Sequence, residues 1–475
     1  MRAASRRRTG LAGLLTLACA LGACGDEPAP GREPAGPRAR AEHPAPDVPA
    51  RPHVVLVTID TLRADRCSAY GYERPTTPHL DALAREGALF EVAYAPTPTT
   101  LPSHAVLMSS LYPGETGVRK NGQPLPEELD TLAERLRRAG YRTAAFVSSF
   151  VVSRPFRLDQ GFDSYDDDFR GAVSSVPADL NWSKDPAPFD RRAADTTDAA
   201  IAWLRGAPPD LPFFLWVHYF DPHQPLIPLE PYLSQFARPE PLTPKQRMQD
   251  LYDAEVRSSD DQLGRLLGAL DEVAPGPRTL VLVTSDHGEG LWDHGWLQHG
   301  ALLYEEAVRV PLVLRWPGRI EAGLRLAGPV GLIDVLPTLL GLLALEPGGP
   351  ALRGADLGPL LEGAAAPDPD RRVFLQRQRF RPGLVDHRRL AGMSRAVRWR
   401  HWKLIESPQE LGLELFDLER DPHEFESVAS QHPDLAKSLK RELEAWQGGL
   451  ADRREPAAPL PEAVRRGLEA LGYAE

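Results

Sequence analysis

Cysteine is scarce in this chain, with three in 475 residues, and no apolar run is long enough to cross a bilayer as a helix. Cys19 and Cys24 both fall in the first two dozen residues, which leaves Cys67 alone and excludes an internal disulfide framework. Cys67 can then be a nucleophile or a small apolar residue in the turn Cys67-Ser68-Ala69-Tyr70-Gly71, and the turn favours the second. An excess of positive charge is also missing: 55 Lys and Arg stand against 66 Asp and Glu, a formal net charge of -11. That balance offers no broad basic surface and argues against a nucleic-acid partner. It gives no long-range pull on anions either, so any anionic ligand must be held by a local device. Internal repeats and long blocks of like charge are absent too.

What is present begins with an address. Arg2, Arg6, Arg7 and Arg8 precede the short apolar stretch Leu11 to Ala20, followed by Leu21-Gly22-Ala23-Cys24. A basic start, a short apolar core and small residues before a cut form a secretory signal. Leu-Gly-Ala-Cys resembles the bacterial lipobox, which implies a lipoprotein signal peptide over 1–24 and a lipid on Cys24. The alternative is an ordinary signal peptide with an incidental Cys24. Residues 25–52 are Pro, Ala, Glu and Arg with almost no large apolar side chain, a tether that cannot build a core. The expected location is the bacterial cell envelope, membrane-anchored and facing periplasm or exterior.

From residue 53 strands and helices alternate. Val54 to Ile59, Tyr141 to Ser148, Phe213 to His218 and Leu280 to Thr284 are short apolar runs rich in β-branched or aromatic residues, the signature of buried parallel strands. Helical patterns over Leu80 to Gly87, Leu129 to Ala139, Asp195 to Leu204, Ala254 to Leu270 and Asp334 to Leu343 fall between or after them, and Val310 to Trp316 reads as another strand. The alternation predicts a parallel sheet covered on both faces. Gly171 to Asp190 is a polar insertion. After the Pro/Gly/Ala stretch from Pro347 to Pro369 the pattern changes. Ala396 to Ile405 and Leu413 to Leu418 read as antiparallel strands, Leu435 to Trp446 as a closing helix, and Leu460 to Tyr473 as a last short helix. The expected divisions are 53–365 for the main domain, 366–450 for a smaller subdomain and 451–475 for a tail.

Two of the buried runs end in chemistry. Asp60 follows the first, and Asp286-His287 follows the run Leu280 to Thr284. In open α/β sheets such strand ends are where ligands bind. Between them in sequence lies Thr100-Leu101-Pro102-Ser103-His104, and proline is well tolerated in the first turn of a helix. A hydroxyl at a helix N-terminus would sit beside open backbone N–H groups that attract anions. Capping alone would also explain Thr100. Asp60, Asp286, His287 and Thr100 together form a donor set for one divalent cation. The imidazole makes it softer than an all-oxygen cage and favours zinc or manganese, with calcium possible.

Several further segments carry a resemblance. Thr76-Thr77-Pro78-His79-Leu80-Asp81 is similar to the Thr-Pro-Asn-Leu-Asp helix start of the sulfatase family in the alkaline phosphatase superfamily. Leu303-Tyr304-Glu305-Glu306-Ala307-Val308-Arg309-Val310-Pro311-Leu312 resembles that family's late motif. Trp402-Lys403-Leu404-Ile405 and Leu415-Phe416-Asp417-Leu418-Glu419-Arg420-Asp421-Pro422 resemble its C-terminal subdomain. The resemblance runs from about Pro52 to Trp446. It implies an α/β fold of alkaline-phosphatase/sulfatase type, with a mostly parallel central sheet flanked by helices and a smaller C-terminal α+β subdomain. It implies metal ligation by Asp60, Asp286 and His287, with His287 at a position that is Asn in most sulfatases. Thr61 replaces the second Asp of the family's Asp-Asp pair. Thr100 stands where sulfatases carry the Cys or Ser that becomes formylglycine, and His104 where that motif has Arg.

These departures bear on the reaction. A formylglycine hydrate can expel sulfate by collapsing to an aldehyde, whereas threonine must form a covalent ester that water later displaces, a cycle natural to phosphoryl transfer. A phosphate or phosphonate ester or diester of a small molecule, glycan or lipid is therefore the favoured substrate. His223, in Asp221-Pro222-His223, matches a substrate-contacting sulfatase His. His104, His223 and His299 are the candidate acids for the leaving group. His218 and Asp221 could nucleate a second metal site, and His294 reads as a loop residue. Three other readings stay open: a sulfuric ester hydrolase using unmodified Thr100, a phospholipid head-group transferase, and a catalytically silent glycan-binding lipoprotein.

Overall fold

The computed structural model describes residues 51–169, 190–208, 211–349, 351–380, 392–407, 412–453 and 460–470. The leader, nearly all of the tether, and the insertion up to residue 189 lie outside the described residues. Pro46–Glu475 forms one compact unit. Among the described residues no helix is long and apolar enough to cross a membrane.

The main sheet is built from β1 (His53–Ile59), β2 (Ala88–Tyr94), β3 (Arg142–Val147), β4 (Ser164–Asp166), β5 (Phe213–Tyr219), β6 (Thr279–Thr284), β7 (Arg309–Val310), β8 (Leu312–Arg315) and β9 (Leu324–Gly331). Its order is β4-β3-β5-β1-β6-β8-β2-β7, with β9 beside β2. β1 lies at its heart, parallel to β5 on one side and β6 on the other. All seven of its residues are buried, as are all seven of β5 and all six of β6, which is why these strands read as unbroken apolar runs. Beyond β6 the pairing turns antiparallel at β8, and β2 pairs antiparallel with β7 and β8. The run Val310 to Trp316, read as a single strand, is divided at Pro311, whose missing N–H cannot join the ladder.

A second sheet, β10 (Arg372–Phe380), β11 (Gly392–Trp399), β12 (Trp402–Ser407) and β13 (Gly412–Asp417), is antiparallel throughout. The segment Ala396 to Ile405, read as one strand, is a hairpin: Arg400 adopts φ 52 and turns the chain between β11 and β12. The helix Pro433–Gly448 lays Ala436, Leu439 and Leu443 on Val397, Leu404 and Leu415 of this sheet. The last helix, Glu462–Ala470, falls within the tail expected to hold one.

The longest helix, Pro244–Val273, spans 30 residues and starts ten before the expected Ala254. Thr243 caps it reciprocally with Gln246, and its early inner face is ionic rather than apolar. Asp250 meets Arg74 and Arg238 at 2.8 and 2.6 Å, and Asp253 meets Arg74 at 2.6 Å. Apolar periodicity is silent over such a turn.

Candidate active site

Strand register brings the site together. Thr58 of β1 stands opposite His218 of β5 and Thr284 of β6, so the residues just past each strand emerge side by side. Asp60 leaves β1 with its N–H on the Tyr219 carbonyl at 2.9 Å, and Asp286-His287 leave β6 after Ser285. Asp60, Asp286 and His287 are each 0% exposed, and one donor atom from each lies within 4.8 Å of the others. Gly288 lets the chain pass tightly behind them, because a Cβ there would sit 2.0 Å from the Glu306 carbonyl oxygen.

Thr100 opens the helix Thr100–Ser109, and the extended residue Thr99 takes the capping position. The Thr100 hydroxyl is fully buried and lies 3.1 Å from His287 Nε2. The N–H groups expected to be open at this helix start are not all open: Leu101 N–H donates to Asn121 Oδ1 at 2.9 Å. Asn121 is itself 4% exposed, and its Nδ2 amide has no partner.

The electrostatics mark this as a place for a cation. Neither carboxylate oxygen of Asp60 has a hydrogen-bond partner, and Asp286 Oδ2 has none. Buried polar atoms left this way signal an ion or water that belongs there. Burial, then Asp286 alongside, pushes the Asp60 carboxyl well above the usual carboxylate range, and burial likewise raises Asp286. Burial holds His287 down to about 4, so it stands neutral and able to ligate. The neighbouring Thr61 has φ 58, an uncommon backbone for a β-branched residue, and a buried hydroxyl without a partner. It is pinned there: its N–H reaches Asp286 Oδ1 at 3.3 Å and its carbonyl accepts from Tyr252 Oη at 2.6 Å. Two carboxylates, a neutral imidazole and a hydroxyl with this many unpaired lone pairs fit a divalent cation of borderline softness.

The other predicted residues divide into two groups. His299 stacks on His287 with ring centroids 4.4 Å apart, and His223 packs edge-on to His299 at 4.9 Å. A row of imidazoles therefore leads outward from Thr100. Glu289, which nothing in the sequence singled out, is fully buried and places Oε2 3.4 Å from His299 Nδ1. Its carboxyl is raised to about 7 by burial.

His104, expected as one of three acids, is placed otherwise. Its Nδ1 lies 2.8 Å from the Thr100 carbonyl, and its Nε2 3.1 Å from Thr58 Oγ1. The Thr100 carbonyl can only accept, so neutral His104 carries its proton on Nδ1 and its Nε2 accepts from the Thr58 hydroxyl, whose oxygen in turn accepts from Trp216 Nε1 at 3.0 Å. With both nitrogens engaged, His104 fastens the helix that Thr100 opens to β1 and has no free nitrogen for a leaving group.

Asp221 does not join His218 in a second metal site. Its Oδ2 accepts from Ala193 N–H at 2.7 Å and its Oδ1 faces Arg192. His294 binds Glu306 Oε1 at 2.6 Å and the Glu424 carbonyl at 3.1 Å, and it stacks on Tyr304. Cys67 is 0% exposed, and burial raises its thiol well above the usual range, the state of an inert packing residue.

The sulfatase family profile matches residues 52–345, and the profile described as N-sulphoglucosamine sulphohydrolase, C-terminal, matches 292–448. The chain belongs to the sulfatase family. It is 30% identical over 353 residues to the ulvan-active sulfatase of Formosa agariphila, covering 68% of this chain and 67% of that one. It is 23% identical to the N-acetylglucosamine-6-O-sulfatase of Bacteroides thetaiotaomicron over 87% of this chain and 89% of the other. Among solved structures, the phosphonate monoester hydrolase of Agrobacterium radiobacter superposes with a TM-score of 0.68 at 24% identity, over 84% of this chain and 96% of that one. This sulfatase-family protein is thus an ester-hydrolysing enzyme. Its family depends on a metal, and Asp60, Asp286 and His287 form the buried candidate site for one.

Proposed function

We propose that this sulfatase-family enzyme hydrolyses phosphate or phosphonate esters through Thr100. The observation that carries the reading is the unmodified Thr100 hydroxyl, 3.1 Å from His287 Nε2, beside the partnerless oxygens of Asp60 and Asp286. Asp60, Asp286 and His287 would hold a divalent cation, zinc or manganese by donor type, which supplies charge neutralisation and Lewis acidity when bound. Thr100 Oγ1 releases its proton to solvent as it attacks phosphorus, a P–O bond to Thr100 forms, and the P–O bond to the alcohol breaks. His299, or His223 beside it, gives the departing oxygen the one N–H proton a neutral imidazole carries, and His299 recovers a proton at Nδ1 from Glu289, whose carboxyl is raised to about 7. Water then cleaves the P–O bond to Thr100 and restores the hydroxyl. The Asn121 Nδ2 amide, unpartnered at the same helix start, is suited to hold a non-bridging oxygen. Anchoring through a lipid on Cys24 belongs to the same reading and rests on the leader sequence.

A second reading, sulfuric ester hydrolysis with unmodified Thr100, is favoured by relatives named for sulfatase activity on ulvan and N-acetylglucosamine-6-O-sulfate. Rates on an aryl phosphonate monoester, an aryl phosphodiester and an aryl sulfate, each with added zinc, manganese or calcium, separate the two. Phosphorus esters should turn over at least about tenfold faster than the sulfate. Thr100→Ala should cost about a thousandfold or more, as loss of a covalent nucleophile does. Mass spectrometry of quenched enzyme should find the Thr100 peptide carrying the substrate's phosphorus group less one alcohol. Turnover surviving in Thr100→Ala, or a faster sulfate ester, overturns the proposal.

A further inference from the structure

His218 has no assigned role, yet like Asp60 it leaves both of its side-chain polar atoms unpartnered beside the site. It is 0% exposed, and neither Nδ1 nor Nε2 has a hydrogen-bond partner. A neutral imidazole carries one donor and one acceptor, and burying both unpaired is costly. Its neighbours settle what is missing. His218 stands opposite Thr58 in the sheet, so it shares a face with Thr58 and with the nearby Asp60. His218 Nε2 lies 3.7 Å from Asp60 Oδ2, and His287 Nε2 lies 3.8 Å from Asp60 Oδ1. Each imidazole therefore addresses its own oxygen of one carboxylate. Asp286 Oδ2 closes the group at 3.4 Å from His287 Nε2.

These spacings are too long for hydrogen bonds. They are close to the separation of two ligand atoms on one ion, about 3.0–3.5 Å when metal–ligand bonds are near 2.1 Å. His218 lies outside the set of donors that all fall within 4.8 Å of one another, so its ring must swing about its side-chain torsions, toward the Asp60 oxygen it already faces, to join them. The other ring near His218 cannot serve it: His104, 5.1 Å away edge-on, has both nitrogens committed to Thr100 and Thr58.

We propose that His218 Nε2 is a further ligand of the cation held by Asp60, Asp286 and His287. The centre then has two imidazole nitrogens and at least two carboxylate oxygens, with Thr100 Oγ1 beside them. Two neutral nitrogens make it a site for zinc, manganese or cobalt in preference to calcium or magnesium. The proposal rests on reading the Asp60–Asp286–His287 cluster as a cation site, but not on which ester is cleaved.

The test uses the full chain freed of metal by chelation and reloaded with zinc alone. X-ray absorption at the zinc edge counts imidazoles by their outer-shell scattering, and competition with a fluorescent chelator gives the dissociation constant. The wild type should show two imidazoles, with one each in His218→Gln and His287→Gln. Zinc should bind His218→Gln at least about tenfold more weakly. Gln keeps a donor and an acceptor, and circular dichroism of the metal-free variants checks that they fold. A single wild-type imidazole overturns the proposal without any variant. So does zinc binding within twofold of wild type in folded His218→Gln. Failure of the ester reading looks different, since turnover in Thr100→Ala leaves the imidazole count at two. Absence of zinc binding in every form would remove the cation site itself.

Discussion

If His104 is a fastener for the nucleophile's helix, then removing a hydroxyl on a different element should disturb catalysis. Thr58→Val is the cleanest perturbation, because valine keeps the shape and β-branching of a fully buried strand residue. It takes away the oxygen that accepts from Trp216 Nε1 at 3.0 Å and meets His104 Nε2 at 3.1 Å. One indole N–H and one imidazole nitrogen are then buried without partners. Each such orphan costs about 1–3 kcal/mol, so the variant should lose about 2–6 kcal/mol. His104 is freed to rotate or change tautomer, which loosens its 2.8 Å bond to the Thr100 carbonyl. A displacement of the nucleophile by about 1 Å can cost about a hundredfold in rate. Urea unfolding of chelator-treated protein measures the first effect, and kcat on the best ester of the panel measures the second. Thr58→Ser should stay within about 1 kcal/mol of wild type, since the hydroxyl survives. Trp216→Phe combined with Thr58→Val should cost less than the sum of the two, because the orphan N–H is gone. If Thr58→Val unfolds within 0.5 kcal/mol of wild type by order of magnitude and keeps its kcat, the fastening role is refuted.

Three further outcomes are open to simple measurement. Asp60→Asn should raise the melting temperature of the metal-free enzyme at pH 8, because burial and Asp286 both oppose the Asp60 charge, while abolishing the stabilisation that zinc or manganese gives the wild type. A metal-free variant that melts lower than wild type contradicts this. Asp260 governs a pH effect far from the site: burial raises its carboxyl to about 7, although it accepts from His79 and Leu80 N–H at 2.8 and 2.9 Å. The folded protein keeps that proton after the unfolded chain has released it, so this contribution is fully present below pH about 4 and is lost as pH rises through about 7. Asp260→Asn should flatten the slope of stability across that window, and an unchanged slope in urea midpoints at pH 5 and 8 would sink the assignment. Cys67, buried and held protonated, should not react with a thiol reagent until urea unfolds the chain, and fast native labelling would show the packing is wrong.

What the sequence disclosed depended on which physical signal each residue left. Burial of β1, β5 and β6 on both faces writes unbroken apolar runs, so these strands and the aspartates that end two of them stood out. Thr100 was findable because Leu101-Pro102 after it fits a helix's first turn. The helix Pro244–Val273 was only half visible, since its first turns bury Asp250 and Asp253 against arginines rather than leucines against a core. Asn121 and Glu289 left no local mark at all. They matter only because folding sets one against Leu101 N–H and the other against His299. His104 was visible as a histidine near the nucleophile, but its task was not. Proximity in sequence cannot tell a ring facing substrate from one whose two nitrogens are already engaged.

The same register that exposes the site also explains why it tolerates so much unsatisfied polarity. Thr58 is matched to His218 on one side and to Thr284 on the other, and a slip of one residue in either pairing would exchange a strand's side chains between the sheet's two packed faces. Between two neighbours that each bury every residue of their strands, β1 has no alternative register of comparable energy. Asp60 is therefore held at the strand end, with its N–H on the Tyr219 carbonyl, whether or not anything meets its carboxylate. Thr61, in its left-handed backbone, is locked behind it by Tyr252 and Asp286. The sheet's cohesion keeps two buried carboxylates and a partnerless imidazole in place, a cluster that would relax apart on a loop. That stored unfavourable burial is released when a cation enters, which is why binding at this site should stabilise the fold as well as activate it.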